Sequence, residues 1–322
     1  MLALDPSLED HMSRHHGRHD GRRTGHFIAY GIFCLVSLPV IWIRVYRLKW
    51  FLHIASGITI VYYVALLIWA LATMGDGGFG STISNGEQVE IPPTAGPNST
   101  AWVMVSGIIA TVGSIAAGIL NQNDYTRMAR SPRGAQWGQG FSYPFYSILT
   151  SIMGILVVAA TQQRLNGPQW YLPDLLAELV RNNPTPAGRA GAFFSGLALT
   201  IGQIGSNVPG NALAGGIDLS AVFPRYINIR RGAYLTAILS PIVNPWQLVS
   251  SAEVFLSVLS GYSVFLAPMT GMMVGSYYLV HRRKLEVDSL YRGDSSSIYW
   301  YTRGINWRAP VAVSIFTLNL EE

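Results

Sequence analysis

The sequence predicts an all-α protein that crosses a membrane several times. Three observations carry that reading. Apolar runs recur along the chain, most of them near the roughly 17–25 residues that a hydrocarbon core requires. Arginine and lysine gather where every second run ends: Arg44, Arg47 and Lys49 after the first, Arg127, Arg130 and Arg133 after the third, Arg225, Arg230 and Arg231 after the fifth, and Arg282, Arg283 and Lys284 after the seventh. Basic loops of this kind face the cytoplasm by the positive-inside rule. Finally, only 12% of the residues are charged, against about 25% in soluble domains.

In chain order, residues 1–26 are polar, basic and hold five of the seven histidines, and they read as a disordered terminus. Residues 27–320 form the transmembrane domain. Its spans are expected over about 27–43, 51–74, 101–120, 143–161, 190–213, 233–249 and 252–280, with a partial eighth over 309–320. The eighth is too short to cross upright. Loops without basic residues belong outside. Residues 75–100 carry Asp76, Glu87 and Glu90 together with the glycosylation acceptor Asn98-Ser99-Thr100. In the other long outer loop, Leu172 to Val180 read as a short surface helix started by Pro173 and Asp174. Asn244-Pro245-Trp246-Gln247 reads as a tight outer turn with an interfacial tryptophan. Alternation would put residues 1–26 outside, whereas Arg14, Arg18, Arg22 and Arg23 would put them inside. That conflict, with the short final run, leads to the expectation of a chain truncated at both ends.

Composition excludes several functions. The net charge of +5 lies mostly in the loops named above, so it reads as topology and attraction to lipid, with no nucleic-acid partner. Cys34 is the single cysteine, so neither an internal disulfide nor a cysteine metal centre can form. No metal site or cofactor is expected, and no Ser-His-Asp order, P-loop or HExxH supports catalysis. Asp124 with Arg127, or Asp218 with His281, are the two pairs a membrane enzyme could use. The reading is not an enzyme.

Polar groups inside the runs are therefore the informative ones. The third run holds Thr111, Gly113 and Ser114. They suit either a broken helix whose backbone meets a ligand or close packing through small residues. The fifth run holds Gln203, Ser206, Asn207, Pro209 and Asn211. Two asparagines and a glutamine around a proline are costly in lipid unless they face a cavity or a partner helix. An amide offers both donors and an acceptor, which matches a lactam or pyrimidine edge. Glue between helices is the competing reading.

Several stretches resemble nucleobase:cation symporter family 1, nearest its fungal uracil and allantoin permease branch. They are Asn121-Gln122-Asn123-Asp124-Tyr125-Thr126-Arg127, Asn207-Val208-Pro209-Gly210-Asn211 with its continuation through Gly216-Ile217-Asp218-Leu219-Ser220 to Gly232, Pro245-Trp246, and Tyr277 to Lys284 followed by Asp288-Ser289-Leu290-Tyr291. The resemblance implies part of a five-plus-five inverted-repeat fold, with the spans here standing for helices four to eleven. It implies a plasma-membrane secondary transporter that imports a nucleobase or related ring such as uracil or allantoin by alternating access. The coupling ion would be a proton or sodium, and a homo-oligomer and lipid contacts are compatible with it. A non-transporting fragment, or an assembly partner of a full-length permease, is the alternative. By the same resemblance, Asn211 binds the substrate ring with Asn207 beside it. Ser114 and Gly113 lie at a helix break, and Ile115 stands where the family's hydantoin carrier has a stacking tryptophan. Gly202, Gly205 and Ser206 mark the cation-site region. Asn121, Asp124, Arg127, Asp218, Arg225 and Arg230 form the inner-loop motif.

Overall fold

The computed structural model describes residues 18–75, 78–79, 100–126, 129–165, 167–182, 184–243 and 252–318. The acceptor asparagine Asn98, Arg127, the Asn244–Gln247 turn and the histidines at 11, 15 and 16 lie outside the described residues, as do the side chains of Ser114 and Glu253. Among the described residues there is no β-strand. The chain divides into two units. The first comprises residues 1–89 and 129–243, and the second 90–128 and 244–322.

The first unit is built from α1 (Arg18–Trp42), α2 (Val45–Ala72), and, among the described residues, five further α-helices in its second stretch. Helix α1 begins at Arg18, inside the stretch expected to be disordered. A nucleated helix propagates at little cost per residue, so the apolar run draws its polar flank into the same helix. Two later helices carry the same start signal. Ser131 Oγ accepts from Gly134 N–H at 3.1 Å with Pro132 at the first helical position, and Thr185 Oγ1 accepts from Gly188 N–H at 3.1 Å with Pro186 there. Each cap satisfies a donor that the first helical turn leaves unbonded, and each proline has no N–H to waste. The caps start α3 at Pro132 and α5 at Pro186, giving α3 (Pro132–Gln162) and α5 (Pro186–Asn207). Helix α3 is thus longer at its start than the 143–161 span expected of it.

Between them, the expected short helix is present as α4 (Leu172–Asn182), and one face of it is packed into the unit. Leu175, Leu176 and Val180 are buried on its apolar face. Leu175 and Leu176 join Tyr62, Leu66, Ala70, Val157, Ala160 and Leu165 in one cluster. Period-3.6 spacing of apolar residues gives α4 a face that only packing can cover. Tyr171 precedes this helix with 40% of its surface exposed. Burial pushes its phenol above the ordinary range, and the Asp174 carboxylate adds to the shift.

Helix α5 does not stop at Leu213. It passes through a π-helical segment, Val208–Leu213, into α6 (Ala214–Val222). A turn leads to α7 (Ile229–Leu239), which is started by Asn228 Oδ1 accepting from Arg231 N–H at 2.9 Å. A short 3-10 turn, Ser240–Val243, closes the unit. Helices α6 and α7 cross at backbone contact. A Cβ at Gly216 would lie 2.5 Å from the Ile229 carbonyl, and one at Gly232 would lie 2.8 Å from Gly216 Cα. No residue with a side chain fits that crossing.

The second unit holds α8 (Thr100–Leu120), the short α9 (Gln122–Thr126), α10 (Ala252–Gly275) with a π-helical end Ser276–Val280, α11 (Val287–Leu290) and α12 (Arg308–Leu318). Helix α10 packs on α8 and on α12. Among the described residues, two helices are long and apolar enough to cross a membrane, Tyr46–Ala72 and Pro132–Gln162. Ile28–Trp42, Ala101–Gly113 and Val264–Val280 are apolar but shorter. The fifth expected span is absent from both groups because Gln203, Ser206, Asn207 and Asn211 interrupt it.

Candidate functional site

Pro209 decides the local structure of the fifth span. It has no N–H to give the carbonyl four residues back, and its ring presses on that carbonyl. The carbonyl belongs to Gly205, and the chain answers with the wider π turn over Val208–Leu213. Interruptions of this kind recur at functional sites. One side of the π segment is anchored. Val208, Ala212 and Leu213 are buried with Ile204, and with Ile41 of α1, Leu48 of α2 and Ala233 of α7. Asn207 is left half-buried and Asn211 exposed.

The two amides meet. Asn211 Nδ2 donates to Asn207 Oδ1 at 2.7 Å. Each amide carries one acceptor oxygen and two N–H donors. This bond uses one donor of Asn211 and one lone pair of Asn207. The carbonyl oxygen and second N–H of Asn211, and the N–H groups of Asn207, remain for another partner, so a donor and an acceptor stand together on one short stretch of helix. A planar ring with N–H beside C=O has the complementary edge.

The two glycines of the expected cation-site region lie on the face of α5 toward α2. A Cβ at Gly202 would lie 2.5 Å from Thr59 Oγ1, and one at Gly205 would lie 2.9 Å from Ala55 Cβ. Both glycines are thus where α5 lies against α2. The Ser206 hydroxyl donates to the Gly202 carbonyl at 2.8 Å.

The expected helix break at Gly113, Ser114 and Ile115 is not found. Helix α8 runs without interruption from Thr100 to Leu120. A lone glycine costs about 1 kcal/mol in a helix, but it keeps its N–H. With no proline near it, nothing forces the ladder open. The backbone groups of these three residues are accordingly engaged in the helix. Gly113 is buried and Ile115 half-buried. They belong to the second unit, and Asn207 and Asn211 to the first.

The inner-loop motif is likewise divided. Asn121 precedes α9, where its carbonyl accepts from Asp124 N–H at 3.0 Å. Asp218 lies exposed on α6, and Arg225 lies exposed in the turn before α7. Arg230, in the first turn of α7, stacks over the Trp42 ring at 4.5 Å. Tyr234 stands one turn on, 6.3 Å from Trp42 between centroids, and its hydroxyl donates to the Leu38 carbonyl at 3.0 Å. A guanidinium over an indole contributes about 0.5–1 kcal/mol at an exposed site. Together these contacts bind the start of α7 to the end of α1. Trp42 and Tyr234 carried no signal in the sequence beyond being aromatic near basic residues. Among the described residues, no group of three His, Cys, Asp or Glu side chains could hold a metal ion.

Comparison with known proteins agrees with this framework. A sequence profile described as "Permease for cytosine/purines, uracil, thiamine, allantoin" matches residues 9–318. The chain belongs to this permease family. Among its relatives, the allantoin permease of Saccharomyces cerevisiae is 30% identical over 90% of this chain and 45% of its own length. The uridine permease of the same yeast is 31% identical over 89% of this chain and 44% of its own length. The permease chain described here therefore spans about half the length of the curated relatives it matches. A solved structure of Mhp1, a nucleobase-cation-symport-1 family transporter in a closed conformation with bromovinylhydantoin bound, superposes with a TM-score of 0.61. It is 21% identical, and the match covers 90% of this chain and 64% of that one. The fold is that of an all-α polytopic transporter, and the permease is an integral membrane protein.

Proposed function

We propose that this permease is a secondary transporter importing a nucleobase or a related small ring, such as uracil or allantoin, by alternating access. The observation that carries the reading is the bonded pair Asn207–Asn211 at the π segment of the fifth span. Amides in such a place are stabilised by a polar partner, and the donor and acceptor they leave over match a lactam edge. Relatives with names such as allantoin permease and uridine permease support the same class of solute. Asn211, the exposed member, contacts the ring in this reading, and no chemical step on the solute follows. Transport is coupled to a proton. In favour of that choice, Gly202 and Gly205 bring no side-chain oxygen to the cation-site region, and they abut α2. The basic loops face the cytoplasm of a plasma-membrane protein, where they meet anionic lipid.

The test is uptake of radiolabelled uracil and allantoin by a host that lacks its own permeases. Wild type accumulates one of the two. Asn211→Ala removes two ligand hydrogen bonds of about 1–1.5 kcal/mol each and weakens binding roughly 30- to 150-fold. Undiminished uptake by Asn211→Ala, at equal abundance in the membrane, refutes the assignment.

A further inference from the structure

We propose that the turn between α1 and α2, together with the start of α7, forms a site for one phospholipid headgroup bearing phosphomonoesters, held by Arg44, Arg47, Lys49 and Arg230. All four belong to the first unit. This is a single built site, beyond the general attraction of basic loops for anionic lipid. It requires a membrane around the chain and no particular solute.

The charge at this turn is uncompensated. Residues 21–75 contain no aspartate or glutamate, and neither do residues 219–252. Helices α2 and α7 thus bring cations without an acid of their own, and α1 has only Asp20, at its other end. Among the described residues, none of the four cations is in an ion pair. Arg44 and Arg47 stand three residues apart at the start of α2, and Arg230 meets the same end of α1. Like charges gathered in this way repel, and an anion among them relieves the repulsion. A lone phosphodiester would leave most of the charge unmatched. Phosphomonoesters on the headgroup supply the rest, with several strong acceptor oxygens each.

The cations are also seated. Arg230 lies over the Trp42 ring at 4.5 Å, Arg47 over the Tyr46 ring at 5.7 Å, and Lys49 over the Trp50 ring at 5.7 Å. Arg44 Nη1 donates to the Tyr46 hydroxyl at 3.4 Å, so Tyr46 serves two guanidinium groups. A guanidinium stacked by its face keeps its N–H edge for the paired oxygens of a phosphate. The turn beneath is held by the core. Ile41 and Leu48, on either side of it, are buried in one cluster with Ile204, Val208 and Ala233. The rings of this turn face outward all the same, with Trp42 62%, Tyr46 58% and Trp50 68% exposed. Topology asks for cations here and for no rings beneath them. Exposed rings beside cations fit the headgroup layer, where one side is apolar and the other wet. A free phosphate would offer those rings nothing to cover, which favours a lipid as the source.

The experiment follows the fluorescence polarisation of a labelled phosphatidylinositol bisphosphate with the full chain in detergent micelles. Unlabelled phosphatidylinositol bisphosphate, phosphatidylserine, phosphatidylcholine and free inositol trisphosphate are added in turn as competitors. The unlabelled bisphosphate lipid is expected to displace the probe at concentrations about tenfold below phosphatidylserine and below the free headgroup. Phosphatidylcholine is expected not to displace it. Each of Arg44→Gln, Arg47→Gln and Arg230→Gln weakens binding about fivefold, the worth of one basic residue at an anionic surface. Lys284→Gln removes the same charge from the basic loop after the seventh run, in the second unit, and stays within about twofold of wild type. Phosphatidylserine competing as well as the bisphosphate lipid would reduce the site to diffuse charge and overturn the proposal. So would Lys284→Gln losing as much affinity as the arginine variants. Free inositol trisphosphate competing as well as the lipid would assign the cations to a soluble phosphate, and overturns it too. The wild-type competitions decide by themselves where a substitution prevents folding.

Discussion

Replacement of Gly216 by alanine is expected to part α6 from α7. The Cβ added there would lie 2.5 Å from the Ile229 carbonyl oxygen, 2.7 Å from Ala233 N and 3.1 Å from Ala233 Cα. All three are backbone atoms, so no side chain can swing aside. Ordinary contact begins near 3.4 Å, and the helices must separate by roughly 1 Å. Ala233, fully buried against the π segment, would lose its packing as they do. Overpacking of this kind costs about 1–3 kcal/mol. Alanine returns up to about 1 kcal/mol through its better helix propensity, leaving a net loss of at most about 3 kcal/mol. Gly196 provides the control. It lies in α5 with nothing within 4 Å of an added Cβ, so Gly196→Ala is expected to be neutral or slightly stabilising. Thermal unfolding of the purified protein in detergent, followed by tryptophan fluorescence, compares the two. Equal midpoints for Gly216→Ala and Gly196→Ala would refute the claim that the α6–α7 crossing depends on bare backbone.

Two further outcomes follow from single contacts. Leu175→Ala empties a fully buried position between α4, α2 and α3 and is expected to cost about 2–5 kcal/mol. A midpoint unchanged in the same unfolding assay would return α4 to the surface. Asp294 holds the turn before Ser297, its carboxylate accepting from the Ser296 amide at 2.8 Å and from the Ser296 hydroxyl. Those bonds, the hydroxyl's first, hold its carboxyl below the ordinary carboxylate range. A depressed folded value means that the turn's added stability is present above the unfolded value and is lost as pH falls through the folded one. Hydrogen exchange at the Ser296 amide, corrected for intrinsic rate, is expected to lose protection on acidification below the usual carboxylate range. Protection that does not change with pH there would contradict it.

Sequence and structure agree where local chemistry decides. Apolar period and length located the helices, and the basic loops fall where helices end. The cap-and-proline pairs Ser131-Pro132 and Thr185-Pro186 were available as start signals, yet the polar, glycine-rich residues before Tyr143 hid the extra turns of α3. The fifth span, expected to end at Leu213, continues through Gly215 and Gly216, which lie against α7. What no local pattern could show are contacts across long stretches of chain. Tyr234 reaching the Leu38 carbonyl, Arg230 over Trp42, and Gly202 against Thr59 each need the fold first.

The third run, where a broken helix was expected, and the fifth, where none was, show together what breaks one. Gly113-Ser114 stays helical and Pro209 opens a π turn, although both stretches combine small and polar residues. Glycine lowers the cost of leaving the helix but removes no hydrogen bond. Proline removes one outright and strains its neighbour. The distinction bears on function. A polar pair in an apolar span is tolerated where the surrounding backbone is held from one side and open on the other. Val208, Ala212 and Leu213 supply the hold, while the bond between Asn207 and Asn211 satisfies one donor and one acceptor of the pair within the segment itself. What remains unsatisfied is an oxygen and a set of N–H groups close together. Their nearest chemical complement is a flat ring carrying the same two groups in reverse.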